Sequence, residues 1–279
     1  MIFVELEGHQ RSLYQNNVKN RDFGKEVPQN FLSGASDHCR RQDTSEDKNS
    51  EVKPQQAKTD SSGCFGVSPG EFEEITGVKF ISSLQMENDS VCQKIHRLGE
   101  KLQKKHKFST SKIGRFLTQF SSAVSFVKKE LRMEQFWRGQ YYYKEIVSPS
   151  FSGVFLRKIN PSIGWGVFAA RSFKPREYIA EYTGVIRKRR KSDHYNAYCF
   201  EYMAEPGKLT PFIIDAKERS GIARYINHSE KPNLEPMLAT IGLQTHLILL
   251  TTRAIQPGEQ LCYDYGPAYW KKRSPPVTL

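Results

Sequence analysis

The chain begins with a long stretch in which apolar positions follow no period. Residues 8–70 are rich in Ser, Asn, Gln, Asp and Lys, and between Asp43 and Ser62 the only apolar side chains are Val52 and Ala57. Such a segment cannot bury enough surface to offset the entropy of ordering it, so disorder is expected. We extend that expectation over residues 1–87, although residues 71–86 carry no decisive pattern. From Ser90 the period becomes helical. Val91, Ile95, Leu98 and Leu102 recur at 4, 3 and 4, with Asn88 to Ser90 available as caps and Gly99 as a weak point. Ser109-Thr110-Ser111 then reads as the cap of a second helix, whose face is Ile113, Phe116, Leu117, Phe120, Val124, Val127 and Leu131. The two predict an α-helical hairpin over residues 88–138, joined at Lys107-Phe108. It has three readings: packing on the next domain, self-association, or a helix-turn-helix reader of DNA using Lys101, Lys104 and Lys105.

After Gly139 the period shortens. Phe151 to Ile159, Tyr178 to Ile186, Tyr198 to Met203, Phe212 to Asp215 and His246 to Thr251 are aromatic and β-branched, with Gly, Pro and Asn between them. No long helix is expected after residue 175. The pattern predicts a mostly β domain of small sheets over residues 150–270, followed by a basic tail, 271–279.

Charge sharpens this division. The 279 residues carry 42 Lys+Arg against 30 Asp+Glu, a net of +12. Residues 1–70 contribute −1 and residues 151–279 contribute +8. A positive field favours acidic partners such as nucleic acid and says nothing of fold. No apolar run approaches the roughly 18 residues of a membrane span, so no membrane partner is expected. Met1 to Gln10 hold Glu5 and Glu7 and no basic n-region, so no classical signal peptide is read there. The five cysteines are far apart with no Cys-x-x-Cys pair, which points to solitary thiols and no metal site.

Three stretches carry candidate chemistry. Gly164-Trp165-Gly166 permits close backbone approach to a ligand, though a plain hairpin turn has the same composition. Arg224-Tyr-Ile-Asn227-His228-Ser229 sets polar groups beside apolar Ile226, and buried amides and imidazoles need partners from the fold or from a ligand. In Cys262-Tyr263-Asp264-Tyr265-Gly266 the two tyrosines share one face if the segment is extended. Each alone has an ordinary packing explanation.

In this order, with Glu181-Tyr182-Thr183-Gly184 between the first two, the stretches resemble the SET-domain lysine methyltransferases. The nearest likeness is to the compact bacterial members of the chlamydial type, through Asn227-His-Ser-Glu-Lys-Pro-Asn-Leu-Glu and Cys262-Tyr-Asp-Tyr-Gly-Pro-Ala-Tyr-Trp-Lys. The resemblance implies small curved sheets and a knot-like C-terminal crossing. It implies S-adenosylmethionine as methyl donor and a protein lysine as acceptor, with no metal. Gly164, Trp165, Gly166, Asn227 and His228 are then expected on the donor, with Arg224 there or in a structural pairing. Tyr265 aligns with the active-site tyrosine. Tyr182, Tyr198 and Phe200 are expected along the lysine channel, and Tyr263 at the position that limits how many methyls are added, here mainly one. Glu230 follows Ser229 and no cysteine follows Cys262, so the zinc-binding end of many relatives is not expected. Tyr269 and Trp270 are expected to close the channel instead, as a short C-terminal lid over the donor and the lysine stem, with Trp270 on the donor and Tyr269 along the channel. Arg187, Lys188, Arg189, Arg190 and Lys191 read as a solvated loop, a nucleic-acid contact or a nuclear localisation signal. The substrate expected is a histone or a basic nucleoid protein. The location expected is cytoplasmic, with secretion into a host cell and entry to its nucleus if the bacterial likeness extends that far. The reading from another class is a non-catalytic SET-like module that binds chromatin or DNA.

Overall fold

The computed structural model describes residues 64–65, 68–116, 123–151, 153–270 and 273. The expected disorder of residues 1–63 and most of the tail 271–279 lie outside the described residues. Strand β1 (Cys64–Phe65) pairs antiparallel with β4 (Val154–Asn160). Ordered structure then starts before the expected boundary at residue 88. Helix α1 (Pro69–Thr76) has Pro69 in its first turn and a capping box at its start: Glu71 N–H donates to Ser68 Oγ at 3.3 Å, and Ser68 N–H donates to Glu71 Oε2 at 3.1 Å. Gly77, at φ 66°, ends it, and Phe72 is its buried residue. The short strands β2 (Lys79–Phe80) and β3 (Gln85–Met86) follow. A single buried Phe within one short capped helix is too weak a periodic signal to find in a polar sequence.

Helix α2 (Asp89–Phe116) starts where expected, with Val91 N–H donating to Asn88 Oδ1 at 3.0 Å. Val91, Ile95 and Leu102 are buried. The expected break at Lys107-Phe108 does not occur. Neither proline nor glycine interrupts residues 100–113, and Ser109 to Ser111 are absorbed into the helix rather than capping a new one. Helix α3 (Ala123–Tyr141) returns alongside it, with His106 and Phe136 stacked at 4.1 Å, and α4 (Tyr143–Val147) adds one turn.

The hairpin is committed to the β domain. Strands β12 (Leu234–Ile241) and β13 (Gln244–Thr251) form an antiparallel pair that turns at Gly242, φ 55°. Gln103 Nε2 donates to Gly242 O at 2.8 Å, Arg138 Nε to Leu238 O at 2.7 Å, and Gln135 Nε2 to Ala204 O at 2.8 Å and Thr240 Oγ1 at 2.6 Å. The helices approach so closely that a Cβ on Gly99 would lie 2.0 Å from Leu243 O, and one on Gly139 would lie 1.9 Å from Thr240 O. This is the packing reading of the helical hairpin.

The remaining strands build small sheets, as expected for a mostly β fold. Strand β5 (Gly164–Ala169) pairs antiparallel with β4, so the glycine pair is a strand entered through Gly164 at φ 79° rather than only a turn. The single expected strand Tyr178 to Ile186 is two, β6 (Tyr178–Glu181) and β7 (Val185–Lys188). Between them Gly184 runs against Asp215, whose carbonyl would be 2.7 Å from an added Cβ. Strands β8 (Cys199–Glu205) and β9 (Lys208–Asp215) complete the order β3-β7-β9-β8, and β6 adds to β13. Strand β10 (Arg219–Ser220) pairs with β2. Pro236 interrupts the pattern of β12 and hides that strand in the sequence; it is an edge strand, where a missing N–H is tolerated. Strands β11 (Asn227–His228) and β14 (Cys262–Tyr263) run parallel, and α5 (Pro267–Trp270) closes the described chain. Among the described residues no helix is long and apolar enough to cross a membrane.

Candidate active site

The pairing of β11 with β14 sets Asn227 opposite Cys262 and His228 opposite Tyr263, and so joins two of the singled-out motifs. Buried Asn233 secures the junction: Cys262 N–H donates to its Oδ1 at 2.9 Å, and its Nδ2 donates to Gln260 O at 2.8 Å. In the sequence Asn233 stands out only as a neighbour of the motif. Its backbone-like side chain, a donor and an acceptor two bonds apart, was the available signal.

The third motif reaches the same junction. Asn227 Nδ2 donates to Trp165 O at 3.1 Å. A Cβ on Gly166 would meet Ile159 Cδ1 at 2.7 Å, Gln260 Nε2 at 3.1 Å and Asn227 Nδ2 at 3.2 Å, so side chains of both neighbouring segments close on this glycine. A Cβ on Gly164 would meet nothing within 4 Å, so this backbone faces open space. The buried side-chain atoms Gln260 Nε2 and Trp270 Nε1 have no hydrogen-bond partner. Orphaned donors of this kind, Gln260 Nε2 next to Gly166 and Trp270 Nε1 next to His228, suit a ligand rich in acceptors, and S-adenosylmethionine brings a carboxylate, ribose oxygens and adenine nitrogens. The residues present therefore fit that donor.

Across the junction lies a cluster of rings. Tyr263 and Tyr265 are 4.8 Å apart between centroids, Tyr265 and Tyr269 4.7 Å, and Tyr182 and Phe200 5.4 Å. Trp270 is stacked parallel to Tyr265 at 6.2 Å and packs edge-on to His228 at 4.9 Å. The Tyr265 hydroxyl donates to Ile226 O at 2.8 Å, and Tyr265 N–H donates to His228 Nδ1 at 3.2 Å. Burial raises the phenols of Tyr182, Tyr263 and Tyr265 well above 10, and their mutual proximity adds to this. These hydroxyls stay neutral; they are donors and acceptors, and none is a ready base. Burial likewise pushes the Cys262 thiol up to about 11 and Cys199 up to about 12, which suits inert packing thiols. No group of His, Cys, Asp or Glu among the described residues is placed to hold a metal ion.

Two expectations change. Arg224 is tied into the fold through its Nη1, while its buried Nε has no hydrogen-bond partner. Its Nη1 donates to Ala216 O at 2.7 Å and also to Lys217 O, and its guanidinium lies 3.8 Å over the Tyr198 ring. It pairs with backbone carbonyls, where a carboxylate was the structural alternative. Arg187 is not part of a surface patch either. It is buried, grips Asp193 with Nη1 at 3.0 Å and Nη2 at 2.6 Å, and reaches Asp215 with Nε at 2.9 Å. Arg189 pairs with Glu201 and Arg190 with Glu87 at 2.7 Å. Of the five-residue basic run only Lys188 and Lys191 stay exposed without a carboxylate partner among the described residues. Two clefts of about 620 and 530 Å³ lie around Val147 and Ser148 and are lined by none of the motif residues.

Small β sheets whose three motifs meet at one parallel strand pair define the class: residues 164–266 match the SET domain, and the chain carries that domain. Similar proteins are histone-lysine methyltransferases. The chain is 38% identical over 112 residues to histone-lysine N-methyltransferase Set8 of Drosophila melanogaster, covering 37% of this chain and 16% of the fly protein. It is 30% identical over 152 residues to N-lysine methyltransferase KMT5A-A of Danio rerio, covering 50% of this chain and 42% of that one. It is 31% identical over 114 residues to human histone-lysine N-methyltransferase EHMT1, covering 39% of this chain and 9% of the relative. The chain thus spans less than half the length of each of these relatives.

Proposed function

We propose that this protein is a protein-lysine N-methyltransferase that uses S-adenosylmethionine and modifies a histone or another basic protein. The observation that carries the reading is the β11–β14 pairing, which joins Asn227, bonded to Trp165 of the glycine-flanked strand, to the segment of Tyr263 and Tyr265. When bound, the donor supplies an electrophilic methyl on a positive sulfonium. The protein supplies position. Gly164, Trp165 and Asn227 hold one end, with Gln260 Nε2 and Trp270 Nε1 as further hydrogen-bond donors. Tyr182, Tyr198 and Phe200 line an aromatic channel that accepts an aliphatic stem ending in nitrogen. Tyr265 is the residue that meets the reacting nitrogen in this reading, its O–H held on the Ile226 carbonyl. Such a site works by orientation and by excluding water.

Tyr263 limits the product to mono-methyl lysine, because a second buried hydroxyl beside Tyr265 occupies room that a methylated nitrogen needs. The likeness of residues 227–235 and 262–271 to compact bacterial members supports a secreted effector that reaches host histones. The exposed pair Lys188 and Lys191 supports only a modest nucleic-acid contact. The test is transfer of labelled methyl to histones and to a basic nucleoid protein, with the modified lysine mapped by mass spectrometry. Transfer that falls about 10²-fold in Tyr265→Phe is expected. No transfer to any substrate, with no donor binding by calorimetry, would refute the enzyme; chromatin binding without transfer would leave the non-catalytic module.

A further inference from the structure

Helix α5 is a single turn, too short to hold itself in place, yet it carries Tyr269 and Trp270 onto the tyrosine cluster. Beside those ring contacts, Arg273 fastens it. The Arg273 Nη1 donates to Tyr269 O at 2.8 Å, and the guanidinium lies 4.1 Å over the Tyr269 ring. Its Nη2 reaches across to a distant segment, donating to Asn196 O at 3.1 Å and His194 O at 3.3 Å. One side chain thus ties the C-terminal turn to residues 77 and 79 positions earlier.

The landing site is itself fixed from below. Arg190 N–H donates to Asp193 Oδ2 at 2.6 Å, and Asn196 Nδ2 donates to Asp215 Oδ1 at 2.9 Å. Both carboxylates are held by buried Arg187. The loop from 190 to 196 is therefore pinned at both ends to one internal cation. The same loop sets a channel wall, because Tyr198 N–H donates to Asn196 Oδ1 at 3.0 Å.

We propose that Arg273 is a positioning residue, a latch that closes α5 on the carbonyls of 194 and 196 and so completes one wall of the lysine channel. Its purpose rests on the methyltransferase reading; its existence as a latch does not. Arginine suits the task because one planar fork reaches carbonyls on two segments while its face lies on a ring, a geometry the point charge of lysine lacks. The partners are neutral carbonyls rather than carboxylates, so the latch is a set of hydrogen bonds that can open for substrate entry and product release.

The test uses the full chain as wild type, Arg273→Ala and Arg273→Lys, read by hydrogen exchange and by steady-state transfer. Exchange in residues 266–270 is expected to speed up about tenfold in Arg273→Ala, close to 1.4 kcal/mol, with β12 and β13 unchanged. Arg273→Lys should restore little of this. The KM for the lysine substrate should rise about fivefold with a smaller change in kcat. Unchanged exchange in Arg273→Ala, or full rescue by lysine, would overturn the latch. Faster exchange without any shift in KM would overturn its place in the channel wall. Faster exchange in a chain whose wild type transfers no methyl would keep the latch and sink the methyltransferase reading.

Discussion

Tyr265 N–H donates to Nδ1 of His228 at 3.2 Å, which makes that ring nitrogen an acceptor and places the imidazole proton on Nε2. Exposed Asp264 Oδ1 lies 3.5 Å from the same nitrogen. The ring works as a strut for the backbone that carries Tyr265, while the Tyr265 hydroxyl is tied to Ile226 O. We expect His228→Ala to lower kcat about tenfold with little change in donor affinity, since a loosened Tyr265 misplaces the reacting geometry. His228→Asn, which retains an acceptor, should recover part of the loss. A variant that loses donor binding by calorimetry but keeps kcat would show the ring to be a donor contact instead.

The buried phenols make a pH prediction of definite sign. Tyr182, Tyr263 and Tyr265 have pKa values raised by burial first and by each other second. Above about pH 10 an unfolded chain releases these protons while the folded one keeps them, so stability is full below that pH and falls as pH rises further. Tyrosinate absorbance from these buried residues should therefore appear together with loss of near-ultraviolet circular dichroism. A single smooth titration of all the tyrosines with the fold intact would contradict the buried cluster.

Removing one oxygen should change the product. Tyr263 is almost wholly buried against Tyr265, and Tyr263→Phe leaves the ring packing in place while freeing the space of a hydroxyl. We expect this variant to shift the product from mono- towards di- and tri-methyl lysine, with kcat for the first methyl changed less than about threefold. Mass spectra dominated by tri-methyl lysine from the wild type, or unchanged in the variant, would remove Tyr263 from this role.

What the sequence reveals and what it hides follow from the range of each signal. The glycine pair, Asn227 and the tyrosine pair are legible because each is a local pattern, and their order along the chain ties them to one family. Helix α2 begins where Asn88 caps it, but its continuation past Lys107 is hidden, since a missing breaker is a weaker signal than a present one. Arg187 reads as one cation among five like charges. Only the return of β9 and the turn at residues 191–195 bring Asp215 and Asp193 to it, and long-range carboxylates leave no trace in a run of basic residues. The place of Arg224 is hidden for the same reason, because its partners are backbone carbonyls that every residue has.

The approach of the helices to the β12–β13 turn gives a stability prediction separate from catalysis. A Cβ at position 139 would sit 1.9 Å from Thr240 O, on backbone that cannot swing aside. Gly139→Ala should cost about 1–3 kcal/mol or more through overpacking, despite the better helix propensity of alanine. Tm should drop by several degrees in calorimetry. Activity per folded molecule should be retained, because the tyrosine cluster is built from other elements. An unchanged or raised Tm would mean that α3 does not approach the hairpin this closely.

Arg187 and the exposed lysines of the same run should part company on mutation. Arg187→Ala leaves Asp193 and Asp215 without their shared cation in a buried setting, and breaking such a pair costs about 3–5 kcal/mol. Those carboxylates brace the loop that carries Asn196 and Tyr198, so residual folded protein should also show weakened transfer. Lys188→Ala and Lys191→Ala should leave stability within about 0.5 kcal/mol of wild type, as surface changes do. If the run touches nucleic acid, these two substitutions should weaken binding and lower the slope of log K against log salt by about one for each phosphate no longer neutralised. Chemical denaturation and a salt series on short duplex DNA separate the cases. A stable Arg187→Ala protein with no remaining DNA affinity would restore the surface patch and displace the buried bridge.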